Sequence, residues 1–347
     1  MNAVSEILSL RDCLPSRYAI ICDTTVRGLY GQKLQQNLTS KGLDVKLFSF
    51  PSGEQYKTRQ TKESIENELF ENGFGRDTCI IALGGGVVLD MAGFIAATFC
   101  RGVPLVMVPT TLLAMVDASI GGKTGVNTPY GKNLVGSFYE AEKIIQDTSF
   151  LQTLPKDEIQ NGIVEMIKHG LIRDSEYFDF LETHVQELMG LDLNSIEKAI
   201  HDSVQIKTAI VKADTKENGI RRIINFGHTI GHAIEKISDY QISHGRAVAI
   251  GIVAESYLSI KKAHLQKNSY ERIKNIFQSY EIPFKIPVDI TLSALKDAMV
   301  SDKKSLKGTP RFVLISEIGK PMVFNNTYCT SVDIHEIEEM YHALHKH

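Results

Sequence analysis

Three of the eleven histidines in this chain fall in one short stretch, at His228, His232 and His244. His228 and His232 stand four residues apart, so on a helix both imidazoles leave the same face. His244, just before Gly245, can return to that face after a turn. Neutral imidazole is the commonest protein ligand for zinc, and catalytic zinc sites usually take three protein ligands and keep one position open. A carboxylate would complete such a site. The upstream residue best suited is Glu165, in Gly162-Ile-Val-Glu165-Met-Ile-Lys168. A histidine pair at helical spacing also arises without function. The glycines beside these histidines weigh the other way, because glycine is costly inside a helix and marks a close approach to the backbone.

A second group of residues suits anions. Leu83-Gly84-Gly85-Gly86-Val87-Val88-Leu89-Asp90 is a strand–glycine–helix junction where a pyrophosphate could meet a helix N-terminus, although Leu89 breaks the G-x-G-x-x-G pattern. Asp23 ends the first apolar run, placed either to hold a ribose hydroxyl or to cap a helix. Pro51-Ser-Gly-Glu54-Gln-Tyr-Lys57 is a turn carrying a carboxylate and an amine, and Pro109-Thr110-Thr111 puts two hydroxyls at a strand end. Asp117-Ala-Ser-Ile-Gly-Gly-Lys123-Thr-Gly-Val-Asn127, with Gly131-Lys132-Asn133 behind it, suits an exposed anion-binding loop. Lys168 shares a helical face with Glu165. Lys207, Glu217, Arg221 and Arg222 precede the histidines, and cations beside a metal suit an anionic substrate. Asp302-Lys303-Lys304 reads as an exposed basic turn.

The elements that must position these residues change character along the chain. Over residues 1–150, short apolar runs alternate with helical stretches, the pattern of a parallel sheet flanked by helices. Strands are expected at Tyr18–Cys22, Val45–Phe50, Cys79–Leu83 and Leu105–Val108. Helices are expected at Gly28–Ser40, Thr58–Glu71 and Val87–Thr98. Over 151–347 helices dominate: Lys156–Ile172, Tyr177–Leu188, Ser195–Lys212, Gly227–Ile237, Gly245–Lys262, Ser269–Tyr280, Leu292–Ser301 and a last one from Ile334. A hairpin near Arg311–Ile315 and Met322–Asn325 interrupts them. The spacing predicts two domains, with the cleft between them as the default ligand site.

At 347 residues the chain can hold two cores. Net charge is −3 with dispersed basic residues, which argues against nucleic acid or an anionic membrane as partner. No apolar run approaches the roughly 20 residues that span a bilayer, and Met1–Leu10 lacks the pattern of a signal peptide. The cysteines are odd in number and show no C-x-x-C spacing, so neither a zinc knuckle nor a disulfide framework is expected, and a reducing cytoplasm is the simplest compartment.

Taken together, the motifs resemble the 3-dehydroquinate synthase family of the sugar-phosphate cyclases. They are Gly84-Gly-Gly-Val-Val-Leu-Asp90, Arg101-Gly, Val108-Pro-Thr-Thr-Leu-Leu-Ala, Gly121-Gly-Lys-Thr-Gly-Val-Asn127, Gly131-Lys-Asn133, Thr153-Leu-Pro155, Glu165-Met-Ile-Lys168, Asn225-Phe-Gly-His228-Thr-Ile-Gly-His232-Ala-Ile-Glu and His244-Gly-Arg-Ala. The resemblance runs from about Asp23 to Lys304. It implies a Rossmann-like NAD-binding domain over 1–150 and a mainly helical metal- and substrate-binding domain over 151–347. The implied reaction converts 3-deoxy-D-arabino-heptulosonate 7-phosphate to 3-dehydroquinate and phosphate, by transient NAD oxidation, elimination, re-reduction and aldol closure, in the shikimate pathway.

By resemblance, Glu165, His228 and His244 bind zinc or cobalt, and His232 becomes an acid–base or substrate-contacting neighbour. Asp23, Glu54, Lys57, Gly85, Gly86, Asp90, Thr110, Thr111, Leu113, Asp117, Lys123, Lys132 and Thr153 line the NAD site. Arg101, Lys123, Asn133, Lys168, Lys207, Arg221, Asn225 and Lys303 hold the phosphosugar acid, and Glu217 matches a carboxylate of the family site. A cytoplasmic homodimer is the expected assembly. Thr25 and Arg246 stand where the family commonly has Asn and Glu. The competing readings are another sugar-phosphate cyclase, a metal-dependent polyol dehydrogenase and a non-catalytic metabolite-binding protein.

Overall fold

The computed structural model describes residues 3–9, 15, 17–300 and 309–345. The chain forms two compact units, Met1–Leu154 and Pro155–His347. In the first, α1 (Ala3–Ser9) and β1 (Arg17–Asp23) lead into a continuous helical run of α2 (Thr24–Val26), a π-turn at Arg27–Gly31 and α3 (Gln32–Ser40). There follow β2 (Asp44–Phe50), α4 (Arg59–Glu71), β3 (Thr78–Gly84), α5 (Gly86–Thr98), β4 (Leu105–Pro109), β5 (Lys123–Thr128), β6 (Gly131–Phe138) and β7 (Lys143–Ile144).

Strands β2-β1-β3-β4-β7 make one all-parallel sheet in that order. The runs Ile20–Cys22, Cys79–Leu83 and Leu105–Val108 are buried throughout, as expected of strands covered on both faces by helices. Because β1 has β2 on one side and β3 on the other, the chain reverses its direction of travel across the sheet between them. In open parallel sheets ligands gather at the carboxyl ends of strands beside such a switch point. Asp23, Gly84 and Pro109 end β1, β3 and β4 at that edge.

The exposed anion-binding loop expected over residues 117–133 is instead largely a two-stranded antiparallel ribbon, β5 with β6, paired from Lys123↔Phe138 to Thr128↔Gly131. Its glycines serve strand contact, since a Cβ on Gly136 would fall 1.9 Å from the Thr124 carbonyl oxygen.

The second unit contains α6 (Lys156–Arg173), α7 (Ser175–Thr183), α8 (Val185–Met189), α9 (Leu193–Ala213), α10 (His228–Ile237), α11 (His244–Lys262), α12 (Lys267–Ser279), α13 (Leu292–Val300), the short pair β8 (Ile315–Glu317) and β9 (Lys320–Pro321), and α14 (Ile334–Leu344). The single helix expected over Tyr177–Leu188 is broken at His184, which caps α7 at one side and opens α8 at the other. The hairpin is tighter than expected: Ile315–Glu317 pairs with Lys320–Pro321, the Met322 N–H donates to the Leu314 carbonyl, and Phe312 bridges to Thr330. No described helix is long and apolar enough to cross a membrane.

Helix α11 is apolar on nearly all sides and packs against α6, α10, α12 and α14, which makes it the axis of the unit. Its contacts with α10 and α6 are unusually close. A Cβ on Gly251 would sit 1.8 Å from the Gly227 carbonyl oxygen, and one on Gly245 would sit 2.5 Å from Asn161 Cα. Gly227 also holds φ at 80°, in the left-handed region, where it turns the chain into α10. The approach anticipated from these glycines is therefore helix against helix.

Gly251→Ala should lower unfolding stability by about 1–3 kcal/mol or more, the usual cost of overpacking a filled core. Gly28→Ala, where an added Cβ meets nothing within 4 Å, should be neutral or slightly stabilising. Denaturant midpoints of the two variants test the point, and equal midpoints would contradict it.

Candidate active site

Three helices of the second unit bring the metal-ligating candidates together, two of them by their first residues. Glu165 lies in the middle of α6, one turn after the Asn161 that touches Gly245. His228 and His244 are the first residues of α10 and α11. Among the described residues, one ligand atom from each of Glu165, His228 and His244 falls within 4.8 Å of the others. Glu165 Oε1 stands 3.7 Å from His228 Nε2 and 3.5 Å from His244 Nε2. Two ligands on one tetrahedral ion, with bonds of about 2.0–2.2 Å, would sit roughly 3.3–3.6 Å apart, so the 3.5 Å spacing matches a zinc-sized cation and the 3.7 Å spacing lies just above it. Glu165 is fully buried, His228 nearly so, and His244 is 31% exposed.

Each imidazole is oriented through its other nitrogen. His228 Nδ1 is 3.1 Å from the Phe226 carbonyl oxygen, and His244 Nδ1 is 3.4 Å from Glu235 Oε2. Burial pulls the His244 pKa down, but Glu235 and Glu165 outweigh it and push it up to about 10. His232 is half-buried on the same face of α10, its ring 5.3 Å from His228 and 6.4 Å from His244. It lies beside the triad rather than within it.

The cationic candidates of this unit are mostly buried. Lys168 is fully buried and ion-paired with Glu165. Lys207, on α9, is 5% exposed and Arg221 is 3% exposed. The loop that carries Arg221 is shaped by Asp214, whose carboxylate accepts backbone N–H groups from Asn218, Gly219 and Arg221. Those bonds outweigh the effect of burial and lower the Asp214 pKa. Arg221 donates to the Thr215 carbonyl at 2.7 Å, and Asn225 donates to Glu217 at 2.6 Å. Lys303 lies outside the described residues.

In the first unit, Lys57 is the hub. Its ammonium pairs with Asp90 and donates to Asn133 Oδ1 at 2.6 Å. Burial raises the Asp90 pKa against the pull of Lys57. Asn127 ties this cluster to the ribbon: its backbone N–H donates to the Lys57 carbonyl, its side chain donates to Glu54 at 2.7 Å, and its Oδ1 accepts from the Asn133 N–H. Lys132 reaches Glu54 at 3.9 Å. Asn133, expected on the substrate, is thus grouped with residues expected on the cofactor.

The remaining candidates of this unit occupy loops and helix ends. Asp23 caps α2, accepting from Val26 N and from Ser52 Oγ. Thr25, one of the unusual positions, bonds the same Ser52 hydroxyl. Gly85 is the N-cap of α5 and brings no side chain to cap it, and Gly86 is that helix's first residue. Thr110 is buried beyond β4, Thr111 Oγ1 accepts from Ala114 N, and Leu113 and Asp117 flank and fill the π-turn Ala114–Ala118. Lys123 is exposed at the start of β5. Thr153 bonds Tyr30. Cys100 and Arg101 both adopt left-handed φ, at 51° and 72°, in a strained turn that leaves Arg101 exposed. An open groove along edge strand β2, lined by Arg27, Gln35, Lys46 and Glu68, includes none of the candidate residues.

Glu235, Asn127 and Asp214 were not among the expected site residues. Glu235 had a signal: it follows His228 by seven positions, so it shares that helical face. Asp214 acts on backbone N–H groups, and Asn127 on the backbone of Lys57 and Asn133 as well as on Glu54, partners that side-chain spacing does not reveal.

Residues 47–161 match the 3-dehydroquinate synthase N-terminal family and residues 162–305 the 3-dehydroquinate synthase C-terminal family. A 3-dehydroquinate synthase of Syntrophotalea carbinolica is 43% identical over 310 residues, 89% of this chain and 85% of its own. Among solved structures, a 2-deoxy-scyllo-inosose synthase complexed with carbaglucose-6-phosphate, NAD+ and Co2+ superposes with a TM-score of 0.90 at 27% identity, over 98% of this chain and 94% of that one. A 2-epi-5-epi-valiolone synthase from Streptomyces hygroscopicus with NAD+ and Zn2+ bound gives 0.88 at 29% identity, over 97% and 92%. With both halves matched in order and a curated relative aligned along most of its length, the chain belongs to the 3-dehydroquinate synthase family.

Proposed function

We infer that the chain is an NAD- and divalent-metal-dependent 3-dehydroquinate synthase, converting 3-deoxy-D-arabino-heptulosonate 7-phosphate to 3-dehydroquinate and phosphate. The observation that carries this reading is the Glu165–His228–His244 triad in a chain whose two halves both match that family. Glu165, His228 and His244 would hold the cation. When bound, the cation would act as a Lewis acid on a substrate hydroxyl, and NAD would take up and return a hydride.

The chain's own residues bind, orient and move protons. Lys168 offsets the buried charge of Glu165 and holds its carboxylate in place. Lys207 and Arg221 supply cations with little water around them, which strengthens their grip on a phosphate or carboxylate. The Asp214-shaped loop sets Arg221, Glu217 and Asn225 in one short segment to fix the substrate's orientation. His232 stands beside the triad as the acid–base group. In the first unit, Gly85 and Gly86 offer uncapped helix N–H groups to a pyrophosphate, with Asp23, Thr110, Thr111, Leu113, Asp117 and Thr153 around the sheet edge. Glu54, Lys57, Asp90 and Lys132 form the charged part of that site, and Arg101, Lys123 and Asn133 serve the substrate.

Purified protein should release phosphate from the heptulosonate phosphate only with NAD and a divalent metal, and without net NADH. Coupled phosphate detection with and without chelator checks this. Turnover of sedoheptulose 7-phosphate in place of the heptulosonate would support a different cyclase, and accumulating NADH a dehydrogenase.

Glu165→Gln should lose bound metal and turnover, and lose about 3–5 kcal/mol of stability, because Lys168 stays buried without its carboxylate. Glu165→Gln combined with Lys168→Met should recover stability without recovering metal, read by metal analysis and denaturant unfolding.

A further inference from the structure

Glu235 is 6% exposed, and a carboxylate taken out of water needs a partner to offset the cost. It lies on α10 seven residues after His228 and three after His232, on the face those histidines share. His244 opens α11 after the connection that follows α10, in which Asp239 and Tyr240 take left-handed φ of 48° and 60° and turn the chain back. The Tyr240 N–H closes onto the Glu235 carbonyl at 2.8 Å. The turn therefore delivers His244 Nδ1 to within 3.4 Å of Glu235 Oε2, while His244 Nε2 stands 3.5 Å from Glu165 Oε1.

The two imidazoles of the triad are held differently. His228 is 10% exposed at its side chain and leans on a backbone carbonyl. His244 is 31% exposed and has a carboxylate behind it. A first-turn residue with that much freedom is poorly fixed by packing alone. A carboxylate on Nδ1 fixes the ring's direction, selects the tautomer with its lone pair on Nε2 and makes that nitrogen a stronger donor.

We propose that Glu235 is a positioning residue for the metal centre: its carboxylate accepts the Nδ1–H of His244 and aims Nε2 at the cation shared with Glu165 and His228. The proposal rests on the metal-centre reading above. It makes no claim that Glu235 touches substrate.

The test is Co2+ titration of the metal-stripped full-length protein, followed by visible absorption and by competition with a chelator, for wild type, Glu235→Ala, Glu235→Gln and Glu165→Gln. Wild type should bind one Co2+. Glu235→Ala should bind about 10–100-fold more weakly with an altered spectrum. Glu235→Gln, which keeps an acceptor and the side-chain volume, should lie between them. Thermal unfolding of the metal-free forms separates this from a packing role, which would lower stability and leave Co2+ affinity unchanged. Wild-type affinity and spectrum in Glu235→Gln and in whatever Glu235→Ala folds would overturn the proposal alone. Failure of wild type to bind Co2+, or binding undiminished in Glu165→Gln, would overturn the metal-centre reading and the proposal with it.

Discussion

The second unit depends on backbone meeting backbone where α11 crosses α10 and α6. Side chains at Gly227, Gly251 or Gly245 would collide with the facing helix and force these helices apart. Helices usually pack with their axes about 8–10 Å apart, a distance set by the side chains between them. Here glycine removes those side chains, and the first residues of α10 and α11 reach the middle of α6. Residues far apart in sequence, Glu165, His228 and His244, become neighbours as a result. The same closeness buries Glu165, and that burial makes Lys168 and the two imidazoles necessary as compensation.

The first unit meets an equivalent demand differently. Its parallel sheet brings loop after loop to one edge. The ribbon β5–β6 ties some of them together. Through Asn127 it is bonded to the turn bearing Glu54 and Lys57, and through Asn133 to Lys57 itself. Lys57 then pairs with Asp90 on α5, so one ammonium joins three separate segments. Replacing it by an uncharged residue would remove the ties of this turn to α5 and to Asn133, leaving the Asn127 bonds to hold turn and ribbon together.

Much of this was legible in the residues. The alternation of apolar runs pointed to a parallel sheet followed by helices, and the four-residue spacing of His228 and His232 pointed to the right face of α10. The choice of Glu165 and His244 over His232 as the triad came from family resemblance, because helical spacing cannot report which distant helix faces a histidine. The glycines near the histidines mark close approach, and what approaches is another helix. Residues 117–133 read as a loop because paired glycines flank a lysine there, yet 123–138 pair as strands. They form strands whose outer positions are exposed, so no apolar alternation announces them. The break at His184 was hidden by apolar spacing that continues across α7 and α8. Roles carried by backbone groups, as around Asp214 and Asn127, leave no mark in side-chain spacing at all.

The central claim is that close helix crossing assembles Glu165, His228 and His244 into one cation site. Anomalous diffraction from crystals of the zinc-loaded protein tests it most directly. The account predicts a single strong peak in this unit, within about 2.0–2.2 Å of a Glu165 oxygen and the Nε2 atoms of His228 and His244, with His232 unligated. A peak bonded to His228 and His232 without Glu165, or no peak among these helices, would contradict it.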